Sequence, residues 1–264
     1  MNKIKIIIVF LLSYAFINAF LLANDLSPNK AAESFFKANQ AYQDGDFELA
    51  KSLYEELSNQ GLQNEVILYN LGNCNYKIGD IGKAIAFYNA SKFIDPRNSD
   101  NKENLRYAIS LTKDKVERSY KDDIYSSIFF FYHVFSKNEL LYIFISLNLI
   151  FWILFILRLK KGLTIFTSKT ILVIIFMLAA IFLTSYFIKM NHFKLFDRAY
   201  IIAKSANIYS ANSKNSTLLF RLHEGSEIKV KSEDQNGFIK IYLEENKKGW
   251  IESQSVLKLS DIFN

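Results

Sequence analysis

The stretch LYNLGNCNYKIGDIGKAIAFYNASKFIDP, Leu68–Pro96, decides the fold. Gly79 and Asp80 stand together where one helix has to end and another begin. Glycine accepts the left-handed backbone that closes a helix, and aspartate is suited to cap the next one. Gly72 and Ala84 flank the break and are small, as two closely crossing helices require. Tyr88 supplies bulk between neighbouring helices. Pro96, after Asp95, is expected to open a further helix. Cys74 falls between apolar positions of the first helix and reads as a small buried residue.

The preceding stretch, 31–64, lies over 65–98 at a fixed offset. Ala38, Tyr42, Gly45, Asp46, Ala50 and Tyr54 fall under Gly72, Tyr76, Gly79, Asp80, Ala84 and Tyr88, each 34 residues on. A 34-residue helix–turn–helix period resembles the tetratricopeptide repeat, with the second unit carrying most of the pattern and the first degenerate. The stretch 100–120 reads as a further helix, either a cap or half of a third unit, so the domain is expected over 31–120. The resemblance implies a scaffold that binds peptides or proteins. It places Phe35, Asn39, Tyr42, Tyr69, Asn70, Asn73, Tyr76 and Lys77 on the concave, ligand-facing side. Asparagine amides can bond an extended peptide and tyrosines can pack on it. A solvated polar groove is the plainer reading of the same residues. The basic clamp for C-terminal carboxylates that some members use is not evident, since Phe35 and Tyr69 stand where such a lysine would be.

Two apolar runs follow, 140–157 and 170–188, separated by the basic island Arg158–Lys169. Each is long enough to cross a hydrocarbon core of about 30 Å as a helix. Neither has the polar stripe of a buried soluble helix. Four basic residues and no acid in the short loop between them assign the loop to the cytoplasm. The start of the chain, 1–23, has Lys3 and Lys5, an apolar run and then Ala19 and Ala23. This is the layout of a secretory signal peptide, with an uncleaved anchor as the alternative. Both signals send the two remaining segments to the periplasmic side of the cytoplasmic membrane. The aromatic stretch 124–139 reads equally as an interfacial segment or as a helix packed on the repeats.

From 199 to 259 the pattern changes to short alternating segments: AYIIAK, ANIYS, EIKVKSED, GFIKIYL and KKGWIES. Several short strands in about 60 residues indicate a small all-β barrel. The stretches ANIYSANSKNSTLLFRLHEGSEIKV and GFIKIYLEENKKGWI resemble a bacterial SH3-like domain, with Gly249-Trp250-Ile251 as its ending. Trp250 has two readings: a packing residue of the barrel, or, with Tyr209 and Tyr242, the lining of a groove. The family resemblance adds cell-wall peptide as a candidate ligand of that groove.

The fold class expected is therefore a multidomain membrane protein: an all-α tetratricopeptide repeat, two transmembrane helices and a small all-β SH3-like barrel. The net charge of +6 does not indicate nucleic acid, because the excess lies at the start and around the spans. One cysteine, three scattered histidines and no HExxH, GxSxG or Gly-rich phosphate loop leave nothing that supports catalysis, a metal or a cofactor. The order of segments, together with SKNELLYIFISLNLIFWILF after the repeats, resembles the BatE-like family of the Bacteroides aerotolerance (Bat) operon. That resemblance implies a non-enzymatic membrane scaffold in stress tolerance. Its implied partners are membrane proteins with von Willebrand-type A domains and, indirectly, a MoxR-type ATPase. The alternative is a module that binds or senses peptidoglycan.

Overall fold

A computed structural model describes residues 28–114, 134–159, 169–190, 198–231, 236–243 and 247–263. The expected signal peptide (1–23), most of the expected interfacial stretch (124–133) and most of the basic loop (160–168) lie outside the described residues.

Five helices form the first module: α1 (Pro28–Gln43), α2 (Phe47–Asn59), α3 (Glu65–Ile78), α4 (Ile81–Ile94) and α5 (Ser99–Ser110). They pack in sequence as antiparallel hairpins. The turns follow the local chemistry. Gly45 and Gly79 take φ of 83° and 94° and end α1 and α3. Asp46 accepts a hydrogen bond from the Leu49 N–H and caps α2. Asp80 occupies the matching place before α4 but makes no side-chain cap bond; its carboxylate turns to Lys83 Nζ, 3.7 Å away. Pro96 does not open α5. That helix starts at Ser99, because Asn98 caps it through the Asn101 N–H, as Asn64 caps α3 through the Ile67 N–H. Asn64 and Asn98 are 34 residues apart, so α5 is the first helix of a third unit in register. It ends at Ser110, and residues 115–120 of the expected stretch lie outside the described residues.

The small residues sit at the crossings. Ala38, Ala50 and Ala84 are fully buried, and a Cβ on Gly72 would lie 2.5 Å from the ring of Tyr88. Tyr54 and Tyr88 fill the space between hairpins, as their positions in the repeat suggest.

Two long apolar helices, α6 (Lys137–Leu159) and α7 (Lys169–Met190), pack antiparallel. Both are long and apolar enough to cross a membrane. Ser136 and Glu139 open α6 with a reciprocal capping box: the Ser136 N–H donates to the Glu139 carboxylate and the Glu139 N–H to Ser136 Oγ. Leu140 packs with Phe182 and Tyr186 at this end, so the start of α6 lies beside the end of α7.

The last module is a seven-stranded antiparallel sheet: β1 (Arg198–Ile201), β2 (Ser205–Tyr209), β3 (Leu218–His223), β4 (Glu227–Val230), β5 (Phe238–Tyr242), β6 (Lys248–Glu252) and β7 (Val256–Lys258). A short helix, α8 (Leu259–Ile262), follows. The strand order is β3-β2-β6-β5-β4-β1-β7. The five expected strand segments correspond to β1, β2, β4, β5 and β6; β3 and β7 are additional. Ala199, Ile208, Ile228, Ile239, Ile241 and Ile251 form the sheet's inner core. Gly249 is needed there, since a Cβ would lie 2.3 Å from Ile208 Cγ2.

The two modules are fused. Tyr200 of β1, with Leu259 and Ile262 of α8, belongs to the core of the helical module rather than to that of the sheet. Alternation explains this: Ala199 and Ile201 point inward and Tyr200 points outward, onto α4.

Candidate functional site

Helices α1, α3 and α5 carry the expected groove residues, while the sheet packs on α4 through β1. The expected groove residues fall into two classes. Asn39, Asn70 and Asn73 face the interior of the repeat as much as the groove. The Tyr54 hydroxyl donates to Asn39 Oδ1 and accepts from Asn70 Nδ2 at 3.0 Å. One repeat on, the Tyr88 hydroxyl donates to Asn73 Oδ1 at 2.7 Å, and Asn104 Nδ2 donates to Asn73 Oδ1 and to the Tyr69 hydroxyl, each at 3.0 Å. These amides form a ladder that holds the buried tyrosines. Burial pushes the Tyr54 hydroxyl up to about 12 and the Tyr88 hydroxyl further in the same direction, so both keep the proton they donate.

Phe35, Tyr42, Tyr69, Tyr76 and Lys77 form the second class, half-buried or exposed. Phe35 and Tyr69 sit edge-on or tilted against Tyr54 and Tyr88, with ring centres 5.9 and 6.0 Å apart. Tyr42 packs edge-on against Phe47, and Lys77 Nζ lies 5.9 Å from the same ring. Tyr76 meets Tyr107, an exposed residue of α5. Asn104 and Tyr107 are absent from the sequence-derived set. The signal for Asn104 was present, because it lies 34 residues after Asn70.

The groove is thus aromatic and amide-rich, with one cation and a rigid backing. It suits an extended chain whose peptide groups meet amides and whose side chains pack on rings. Cys74 is fully buried behind it, and burial pushes its thiol up to about 12, which leaves it unreactive. Among the described residues no cluster of His, Cys, Asp or Glu could hold a metal ion.

On the sheet, Tyr209, Tyr242 and Trp250 occupy the outer face. Tyr209 pairs with Trp250 across β2 and β6, and Trp250 with Lys240 across β6 and β5. Tyr242 lies two residue pairs from the Lys240–Trp250 pair, on the same face and opposite Lys248. Trp250 is half-exposed and takes no part in the inner core, while Tyr209 is mostly covered and packs edge-on against Phe238. Trp250 thus stands half-exposed outside the inner core, a position open both to a packing residue and to the lining of a groove.

Family models and curated proteins compared with this chain contain no match to it.

Two polar junctions tie the modules together and to the apolar helices. Asp114, after α5, accepts from the His223 N–H at 2.6 Å and from Ser226 Oγ at 2.8 Å, and its other oxygen lies 2.8 Å from His223 Nδ1. Lys204 Nζ donates to the Gly79 carbonyl at 2.7 Å and to Glu224. Near the apolar helices, Arg97 pairs with Glu139 of the capping box. Lys189, at the end of α7, is buried; its Nζ donates to the Phe135 carbonyl at 2.6 Å and lies 5.4 Å from the ring centre of Phe93 on α4. The loop outside the described residues, 160–168, joins the opposite ends of α6 and α7.

Proposed function

We propose that this protein is a non-enzymatic, membrane-anchored scaffold whose tetratricopeptide groove holds an extended segment of a membrane partner. The observation that carries this reading is the half-buried aromatic and amide strip along α1, α3 and α5, while among the described residues the sheet packs on α4. A groove stiffened by an internal tyrosine–asparagine ladder loses little conformational entropy when a ligand is laid on it. The sheet module is read as SH3-like and as a second binding surface.

The orientation proposed is two-pass in the cytoplasmic membrane with both modules on the periplasmic side. The basic loop supports this through its charge. The clasp of Arg97, Glu139 and Lys189 supports it by keeping both modules at one end of the helical hairpin. A place in a Bat-type assembly, beside von Willebrand A-domain membrane proteins and upstream of a MoxR-type ATPase, rests on the family resemblance. Any signal to a cytoplasmic ATPase would then pass through those partners.

Crosslinking in membranes followed by affinity purification tests the groove. Tyr42→Ala with Tyr76→Ala removes two half-buried groove rings without touching the ladder, and is expected to strip away the principal partner. Recovery of every partner at wild-type yield sinks the groove reading. Asn73→Ala is a poor probe, because it also releases Tyr88.

A second reading, peptidoglycan binding, draws on the surface position of Trp250. Sedimentation of the full chain in detergent with purified sacculi checks it, and an unbound supernatant refutes it.

A further inference from the structure

The register of the sheet aligns lysines and aromatic rings in two rows across one face. In the first row Lys229 lies opposite Tyr242, and Tyr242 opposite Lys248. In the second, Lys231 bonds the Lys240 carbonyl through its N–H, Lys240 pairs with Trp250, and Trp250 with Tyr209. All these side chains project outward, since the alternate residues Val230, Ile239, Ile241 and Ile251 fill the inner core. Lys231 Nζ lies 5.1 Å from the ring centre of Tyr242 and Lys240 Nζ 5.8 Å from that of Trp250.

The charge on this face is uneven. Two acids share it on the strands, and both have cations: Glu252 pairs with Lys214 at 2.8 Å and Glu227 with Arg198 at 3.6 Å. Lys229, Lys231 and Lys248 are exposed and form no ion pair among the described residues. Gathering like charges over rings on a rigid sheet is unfavourable by itself and is relieved by a ligand of opposite sign.

We infer that the outer face of β4, β5 and β6 is a docking surface for an extended, acidic segment of a protein partner. Carboxylates would meet Lys229, Lys231 and Lys248, and the intervening side chains would lie on Tyr242 and Trp250. A protein segment fits better than a lipid surface because of where the sheet is held. The end nearest the apolar helices is β7 with α8, where Phe263 packs on Phe93, the ring beside Lys189. β4, β5 and β6 are two, three and four strands from β7 along the sheet. At about 4.8 Å per strand, that is roughly 10 to 19 Å along it.

This rests on reading the sheet as a binding module, and its test is separate from that of the groove. The full chain in phosphatidylcholine nanodiscs is titrated with a labelled peptide of alternating Glu and Tyr and with its Gln-for-Glu counterpart. The acidic peptide is expected to bind and the amide peptide not. Binding should fade at about 1 M salt, where screening acts within about 3 Å. Lys231→Gln with Lys248→Gln, both exposed, should weaken it about fivefold, as two ion pairs would. Trp250→Ala should weaken it further. Equal binding of the two peptides, or indifference to the lysine changes, overturns the proposal. So does transfer of the same lysine dependence to phosphatidylglycerol vesicles or to sacculi, which assigns the face to lipid or to wall. The Tyr42 and Tyr76 variant serves as the control: it should bind the acidic peptide normally, so that failure here leaves the groove untouched.

Discussion

Gly82 of α4 lies against the backbone of Ile201 in β1, so that a Cβ on Gly82 would sit 2.3 Å from the Ile201 carbonyl oxygen and 3.0 Å from the Ile202 Cα. Backbone atoms cannot swing aside as a side-chain end can. Gly82→Ala should therefore push the sheet off α4 at a cost of about 1–3 kcal/mol. The equivalent place in the first hairpin is Glu48, which is exposed and meets no sheet. Glu48→Ala should stay within about 0.5 kcal/mol of wild type. Thermal unfolding with protease cleavage of the 198–204 region reads both. Undiminished protection in Gly82→Ala would show that the modules are not held by this contact.

The tyrosine–asparagine ladder makes a graded prediction. Tyr88→Phe removes a hydroxyl from Asn73, which keeps Asn104 as a partner, so the loss should be about 0.5–1.5 kcal/mol. Gly72→Ala drives a methyl into the Tyr88 ring and should cost more, about 1–3 kcal/mol. Adding Tyr88→Leu to Gly72→Ala should recover part of that loss, because the obstructing ring is gone. Urea unfolding of the full chain gives all three values. A strictly additive double variant would contradict direct packing of these two residues.

The repeat was legible because its cues are local. Gly45, Asp46 and Gly79 set turns through their own backbones, and Tyr54 and Tyr88 repeat at 34. The same spacing in Asn64 and Asn98, and in Asn70 and Asn104, marks the third unit, but asparagine is common enough in polar helices to hide it. Asp80 holds the N-cap place that the sequence suggests, but its side chain makes no cap bond and lies 3.7 Å from Lys83 Nζ. Trp250 was ambiguous because its neighbour Ile251 is also apolar, and only the pairing with Lys240 fixes its side of the sheet. The docking through Gly82 had no local cue: its partner lies more than a hundred residues away. β7 is three residues long, too short for alternation to declare a face.

Acid should loosen the junction at Asp114. Burial works to raise this carboxyl, but hydrogen bonds from the His223 N–H, Ser226 Oγ and the His223 ring outweigh it and hold it below the ordinary aspartate value. A depressed folded-state pKa contributes stability that is complete above the unfolded value, about pH 4. That contribution is lost as pH falls through the folded value. Asp114→Asn should be less stable than wild type near neutrality, and the gap should close below about pH 4. Unfolding midpoints measured across this range test it. A gap that stays constant into acid would mean that the charge of Asp114 does not matter.

The clasp at the end of the hairpin predicts where each loop is reached. Arg97 pairs with Glu139 at the start of α6, and Lys189 at the end of α7 lies beside Phe93 of α4; the sheet is fused to this helical module, so both modules share one end. Cys74 is buried and its thiol stays protonated, which gives a silent background for labelling. In cells with a permeable outer envelope, a membrane-impermeant maleimide should modify Ser213→Cys, in the exposed turn between β2 and β3. It should spare Thr164→Cys, in the basic loop, until the inner membrane is opened. Labelling of both positions from outside would overturn the two-pass orientation. Labelling of neither would place the modules in the cytoplasm with a masked loop. Lys189→Met removes the bond to the Phe135 carbonyl while keeping an apolar stem of similar length. It should leave this labelling pattern intact but raise protease access around Phe135, because the charge count of the loop sets orientation and the clasp sets only the fit.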